Sequence, residues 1–284
     1  MQSIWRTAPL ITAAFLASAV AINGAMAAQQ DYTPSVGQEG KDVIWVPTPQ
    51  ALVERMLEMA GTKSTDYVVD LGSGDGRTVI TAAKKFGARA LGIEYNPEMV
   101  ELAKRAAAKE GVSDKAQFMQ GDIFATDFSK ATVLTLYLLP SLNVKLRPTI
   151  LNMRPGTRVV SHAFTMDDWQ ADQVDSADGR TAYMWIVPAK VGGTWKIDVT
   201  GAGARSYEAT FNQTFQNVAG NAKADNRNVQ ISNGKLRGET ITFSLGDDSA
   251  RREFTGRVTG NKIEGTVKGG GDARFVATRV GEAK

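Results

Sequence analysis

The chain has 284 residues, 43% hydrophobic and 22% charged, with a formal charge of +3, which describes an ordinary globular protein of two folded units and excludes disordered and fibrous classes. With no cysteine, disulfide staples, thiol nucleophiles and Cys-based zinc sites are excluded; a single histidine argues against a histidine-rich metal site or a Ser-His-Asp triad but leaves one base available, and no metal is expected. The small charge, spread along the chain, gives no reason to expect a nucleic-acid partner.

Residues 1–28 read as a signal peptide. Arg6 precedes an apolar stretch from Ala8 to Ile22, and Ala25-Met26-Ala27 fits a small-residue cleavage site. The alternative is an uncleaved anchor, since Ala8 to Ala28 carries no charge over a length that suits a bilayer. Either way the expected location is exported: periplasmic, or membrane-anchored and facing the periplasm. Residues 29–45 read as an extended polar leader.

From residue 46 to about 190, strand-like runs alternate with helical patterns, as in a Rossmann-like α/β sheet with helices on both faces. Thr48-Pro49 opens a helix that aligns Leu52, Val53, Met56, Leu57 and Ala60 on one face. Strands are expected at Tyr67–Leu71, Ala88–Glu94, Lys115–Gln120, Ala131–Leu138, Thr157–Phe164 and Tyr183–Val187. Helices are expected over Thr78–Phe86, from Asn96-Pro97-Glu98 to Glu110, and over Leu142–Leu151. Residues 191–284 differ in character. Seven short strand candidates lie between Trp195 and Thr278, separated by turn signals such as Asn233-Gly234 and Gly260-Asn261. This predicts a small antiparallel all-β domain, a barrel or sandwich.

The chemistry gathers where strands end. Asp70-Leu71-Gly72-Ser73-Gly74-Asp75-Gly76 follows the first strand of the sheet, and glycines there let a ligand rest on the main chain. Arg77 stands where a dinucleotide fingerprint needs a small residue, and no Gly-Lys-Ser/Thr follows as in a phosphate loop. Glu94 ends the second strand, where a carboxylate can accept from two ribose hydroxyls. Asp122, followed by Ile123, lies just past the third, where it can accept from an adenine amine. An acid at each of three successive strand ends, with glycines only at the first, points to an adenosine ligand without phosphates: S-adenosyl-L-methionine. The expected cofactor contacts are Thr48, Asp70, Gly72, Ser73, Gly74, Glu94, Tyr95, Asn96, Asp122 and Ile123.

These residues resemble the class I methyltransferases. Residues 46–169 look most like the protein-lysine methyltransferases that modify the ATP synthase c subunit and the adenine nucleotide translocase. The resemblance is carried by Pro47-Thr48-Pro49, Asp70 to Arg77, Gly92 to Pro97, Asp127-Phe128-Ser129, Leu136-Tyr137-Leu138-Leu139-Pro140, Leu146-Arg147-Pro148 and Pro155 to His162. It implies transfer of methyl to a protein lysine. The leucines after Tyr137 replace the polar groups that nucleobase-amine enzymes carry, the carbonyls of Leu138 and Leu139 are candidate acceptors for an ammonium, and Tyr137 and Pro140 are expected to shape the channel. His162, at the end of the fifth strand, is a candidate base or a structural residue. A small-molecule methyltransferase and an exported non-catalytic scaffold are the competing readings. Membrane or envelope association through the N-terminus is expected; the oligomeric state has no signature in the residues.

Overall fold

The computed structural model describes residues 1–2 and 32–282, apart from 226, 247–250, 270 and 272; the expected export segment lies almost wholly outside the described residues. Residues 32–284 form one compact unit.

Its first half is a seven-stranded sheet in the order β3-β2-β1-β4-β5-β7-β6. In chain order the elements are α1 (Gln50–Met59), β1 (Tyr67–Leu71), α2 (Arg77–Phe86), β2 (Arg89–Glu94), α3 (Pro97–Lys109), β3 (Ala116–Gln120), β4 (Val133–Leu136), α4 (Pro140–Leu151), β5 (Arg158–His162), β6 (Gln173–Ala177) and β7 (Arg180–Ile186). β1 to β5 are parallel, and alternate residues of β1 serve opposite faces. Val68 joins a core with Leu52 and Val53 of α1, Val79 of α2 and Val100 of α3. Val69 and Leu71 join Leu146 and Ile150 of α4, Phe128 and Trp169 on the other face. The strand order reverses between β1 and β4, and the crevice over that switch point, at the carboxyl ends of the strands, is where such sheets bind ligands.

Three expectations change here. The sixth strand is half of a hairpin: β7 runs antiparallel to β5, and β6 pairs back onto it through Asp178-Gly179. Both turn residues have positive φ, 49° and 69°, the backbone that a two-residue hairpin turn requires. Thr48 does not cap α1; its cap position is Pro49, with no side-chain bond. Nor are residues 32–45 extended. Gly37 N–H donates to Trp45 O at 2.8 Å, Trp45 N–H to Gln38 O at 2.9 Å and Gly40 N–H to Val43 O at 2.9 Å, so the segment doubles back as a short hairpin.

The second half settles the choice between barrel and sandwich. β8 (Gly193–Gly201), β9 (Arg205–Thr214), β10 (Asn217–Ala224), β11 (Arg227–Arg237), β12 (Thr240–Leu245), β13 (Arg252–Thr259), β14 (Lys262–Lys268) and β15 (Ala273–Glu282) form a closed antiparallel barrel. Closure leaves no free edge. Inward positions alternate with outward ones, and Trp195, Phe211, Phe243, Phe254 and Phe275 fill the interior, with Phe243 and Phe254 stacked at 4.7 Å. Asn233-Gly234 is not a turn. It is a bulge inside β11, where Asn233 takes φ 51° and the register to β12 shifts between Ser232 and Lys235.

Candidate functional site

Above the switch point lies a cavity of about 580 Å3, within the usual range for a small-molecule ligand, about 300–1,000 Å3. The loop after β1 forms its floor. Gly72 takes φ 77° there, a backbone that strongly favours glycine. Gly76 takes φ 83° at the start of α2, and a Cβ on it would lie 2.7 Å from the Phe118 ring and 2.8 Å from Ala103. That close seat sets α2 against β3 and α3, so Gly76 supplies the helix packing that Arg77 could not.

Glu94 organises the loop. Its Oε2 accepts from Gly74 N–H at 2.9 Å and its Oε1 from Asn96 N–H at 2.9 Å. Each carboxylate oxygen keeps a second lone-pair site, so it can also accept from two vicinal hydroxyls. Asn96 caps α3 by accepting from Glu98 N–H at 2.9 Å, with Pro97 at the first helical position. Asp70 is buried and accepts from the Thr135 hydroxyl at 2.6 Å, which fastens β1 to β4. Its pKa is raised to about 7, chiefly by burial, with Glu94 and Asp75 adding to the rise and the hydrogen bonds of Thr135 and Thr78 opposing it.

The roof comes from the N-terminal hairpin. Lys41 Nζ reaches Asp122 Oδ2 at 2.6 Å and lies 5.0 Å from the centre of the Tyr95 ring. The other oxygen of Asp122 accepts from Phe124 N–H at 2.9 Å. Asp122 therefore faces the cavity already holding the hairpin, and the Lys41 hydrogen bond keeps its carboxyl below the ordinary range. Trp45 covers the glycine loop closely enough that a Cβ on Gly74 would fall 2.6 Å from its Nε1. Arg77, paired with Asp75 at 2.6 Å, donates to Thr48 O at 2.9 Å and ties this roof to α2.

The far wall is apolar and aromatic: Tyr137, Leu138, Leu139, Leu142 and Phe164. β5 stops at His162 because Ala163 takes φ 61°, and Phe164 N–H turns back to His162 O at 2.7 Å. Positive φ at a residue with a Cβ is strained, and here it brings Phe164 into the wall. His162 is 1% exposed and lies behind the wall. Its ring stacks on Tyr137 at 3.8 Å, and its Nδ1 lies 3.0 Å from Thr48 Oγ1. Burial, aided by Arg180, lowers its pKa to about 4.

Of the expected residues, Thr48, Asp70, Gly72, Glu94, Tyr95, Asn96, Asp122, Ile123 and Tyr137 line one cavity. Ser73, Gly74, His162 and Pro140 do not. Ser73 tucks against Gly92, Gly74 lies beneath Trp45, and Pro140 is exposed at the first position of α4. Leu139 O accepts from Leu142 N–H and Asn143 N–H at 3.0 and 3.1 Å, so its carbonyl is taken up by the helix. Lys41, Trp45, Asp75, Met99 and Phe164 join the walls beyond the expected set. The Phe164 position carries no sequence signal, whereas Trp45, an aromatic just ahead of the α/β domain, is visible.

The donor set suits an adenosine-bearing ligand. A carboxylate with spare lone pairs stands at the second strand end, the loop before it exposes backbone, and Met99 and Ile123 offer apolar surface for a base.

A family model described as the ANTKMT methyltransferase domain matches residues 70–173, and one described as DNA methylase matches residues 30–105. A protein-lysine N-methyltransferase of Saccharolobus islandicus (strain REY15A) is 42% identical over 151 residues, covering 51% of this chain and 94% of that protein. A Xenopus laevis lysine N-methyltransferase of the ATP synthase c subunit is 32% identical over 131 residues, 46% of this chain and 57% of that protein. The crystal structure of an RNA methyltransferase from Salinibacter ruber in complex with S-adenosyl-L-homocysteine is 51% identical. It covers 51% of this chain and 96% of that one, with a TM-score of 0.50.

Proposed function

The chain belongs to the S-adenosylmethionine-dependent methyltransferases that carry the ANTKMT domain, and from that premise we propose that it methylates the ε-amine of a protein lysine. One observation carries the reading: the wall at the carboxyl end of β4 offers no side-chain carboxamide or carboxylate among Tyr137, Leu138, Leu139, Leu142 and Phe164. A nucleobase amine would need a polar side chain there to draw off its proton. An alkyl amine fits an apolar tube. The names of the Saccharolobus and Xenopus relatives support the same substrate class.

When bound, the cofactor supplies a methyl group already activated on a sulfonium. Glu94 would hold the ribose hydroxyls, the Gly72 backbone would give the close seat, and Asp122 with Ile123 would bound the base. The remaining task is to bring a neutral amine in line and keep water out. The low-dielectric wall favours the uncharged form of the incoming lysine, which lowers its pKa. Leu138 O, which has no hydrogen-bond partner among the described residues, is the acceptor that orients its N–H. His162 takes no proton from it: its pKa of about 4 makes it a weak base, and the Tyr137 ring separates it from the cavity. Its part is to set the Tyr137 plane and anchor Thr48.

If residues 1–28 act as the export signal that their sequence leads us to expect, the reaction takes place outside the cytosol, with the substrate in the envelope; fractionation of the expressed full chain tests the location. The substrate class is tested by incubation with radiolabelled S-adenosylmethionine and two acceptors, an envelope protein extract and total RNA. Label recovered as methyl-lysine after acid hydrolysis supports the proposal. Label that only nuclease releases would overturn it in favour of the activity named for the Salinibacter relative.

A further inference from the structure

A second cleft, of about 650 Å3, lies between the sheet and the barrel. It sits among the starts of β4 and β5, at the end of the sheet opposite the cofactor cavity. We propose that this cleft binds a phosphate-bearing anion.

Four arginines line the cleft. Arg154, in the turn before β5, and Arg158, at its first residue, come from the sheet; Arg237 and Arg257 come from β11 and β13 of the barrel. Arg158 pairs with Asp66 at 2.8 Å and also donates to Ala60 O at 3.0 Å. Arg257 pairs with Glu239. Arg154 and Arg237 form no ion pair among the described residues; with Glu239 in the lining, Asp66 paired to Arg158 and Asp172 close enough to Arg237 to feel its charge, four guanidinium groups face three carboxylates, and a positive excess remains.

Like charges brought together across a cleft repel, and an anion between them removes that cost. Guanidinium presents two parallel N–H groups that match the oxygens of a phosphate, which makes Arg the preferred residue for such groups. The walls are held in register. Ala189 N–H donates to Gly238 O at 2.8 Å, and a Cβ on Gly238 would lie 3.0 Å from Gly156 Cα. The two unpaired arginines therefore stand on walls fixed in register with one another, with Thr240 also in the lining. A free phosphate compound and the headgroup of an anionic lipid share this chemistry.

The test uses the full chain and its Arg154→Gln and Arg237→Gln variants, with Lys223→Gln as a control, since Lys223 is exposed on β10 away from the cleft. Pyrophosphate is titrated by calorimetry at constant ionic strength, and phosphatidylglycerol vesicles are sedimented beside phosphatidylcholine ones. Binding of pyrophosphate that weakens at least about ten-fold in both cleft variants, but not in the control, supports the site and a soluble ligand. Sedimentation with the anionic vesicles that both cleft variants lose assigns a lipid headgroup. Cleft variants that match wild type in both arms overturn the proposal. S-adenosylhomocysteine binding, read in the same variants, should not change, and circular dichroism confirms that each is folded.

Discussion

Glu94 shows how one carboxylate can shape a loop and bind through it. Both of its oxygens already accept backbone N–H groups, at Gly74 and Asn96, so removing it disturbs the loop as well as the ribose contact. Glu94→Ala should weaken S-adenosylmethionine binding about ten- to a hundred-fold, the equivalent of about 1.5–3 kcal/mol, in a calorimetric titration. Asp70 and His162 make a second prediction, on stability against pH. Burial raises Asp70 from 3.8 to about 7, so the folded state holds more protons than the unfolded one between those values, and Asp70 makes stability fall as pH rises through that window. Burial lowers His162 from 6.5 to about 4. There the unfolded state holds more protons, and His162 makes stability fall as pH drops from about 6.5 to 4. The two oppose each other over nearly the same range. Asp70→Asn should leave a protein that loses melting temperature on acidification in that range, and His162→Gln one that gains it; parallel profiles for both variants would contradict the assignment.

At the scale of the element, the hairpin of residues 32–45 carries the sharpest consequence. Its hold on the domain runs through Lys41 to Asp122, an exposed pair that adds little to global stability, and through Trp45 over the glycine loop. Lys41→Ala should therefore raise the dissociation rate of S-adenosylhomocysteine several-fold while leaving the melting temperature unchanged, as followed by stopped-flow tryptophan fluorescence. The same scale shows where sequence patterns fail. Asn233-Gly234 looks like a hairpin turn, yet both neighbouring strands continue past it, and the barrel absorbs the left-handed Asn233 as a bulge. Asp178-Gly179 does make such a turn, and its signal is present in the residues; β6 gives no strand signal because Gln173–Ala177, at the sheet edge, is polar.

At the scale of the whole molecule, the turn between β9 and β10 ties the barrel to the sheet domain. Phe215 takes φ 52° and stacks on Trp169 at 6.0 Å, while Gln216 donates to Gln170 O at 2.8 Å. Arg147 lies over the same ring at 5.3 Å. This is a side chain of the barrel set into the core of the sheet domain. Phe215→Ala should destabilise by about 2–3 kcal/mol, below the value for a fully buried ring because Phe215 is only partly buried. It should also separate one calorimetric transition into two, the sheet domain melting apart from the barrel.

The alternation of strands and helices, the helix caps at Asn96-Pro97 and the acid at each strand end were legible in the residues, because periodicity and capping are local and need only a few neighbouring positions. So was the cofactor, since the carboxyl ends of three adjacent parallel strands lie along one edge of the sheet whatever the loops do. Three things awaited the tertiary structure. Whether the second domain closed as a barrel depended on β9 meeting β10 and β8 meeting β15, pairings whose partners lie far apart in the chain in the second case. His162 proved to be buried and covered by the ring of Tyr137, neither of which a lone histidine announces. The polar leader became the roof of the cofactor cavity because Lys41 finds Asp122 some eighty positions later, and a contact of that range has no period to read.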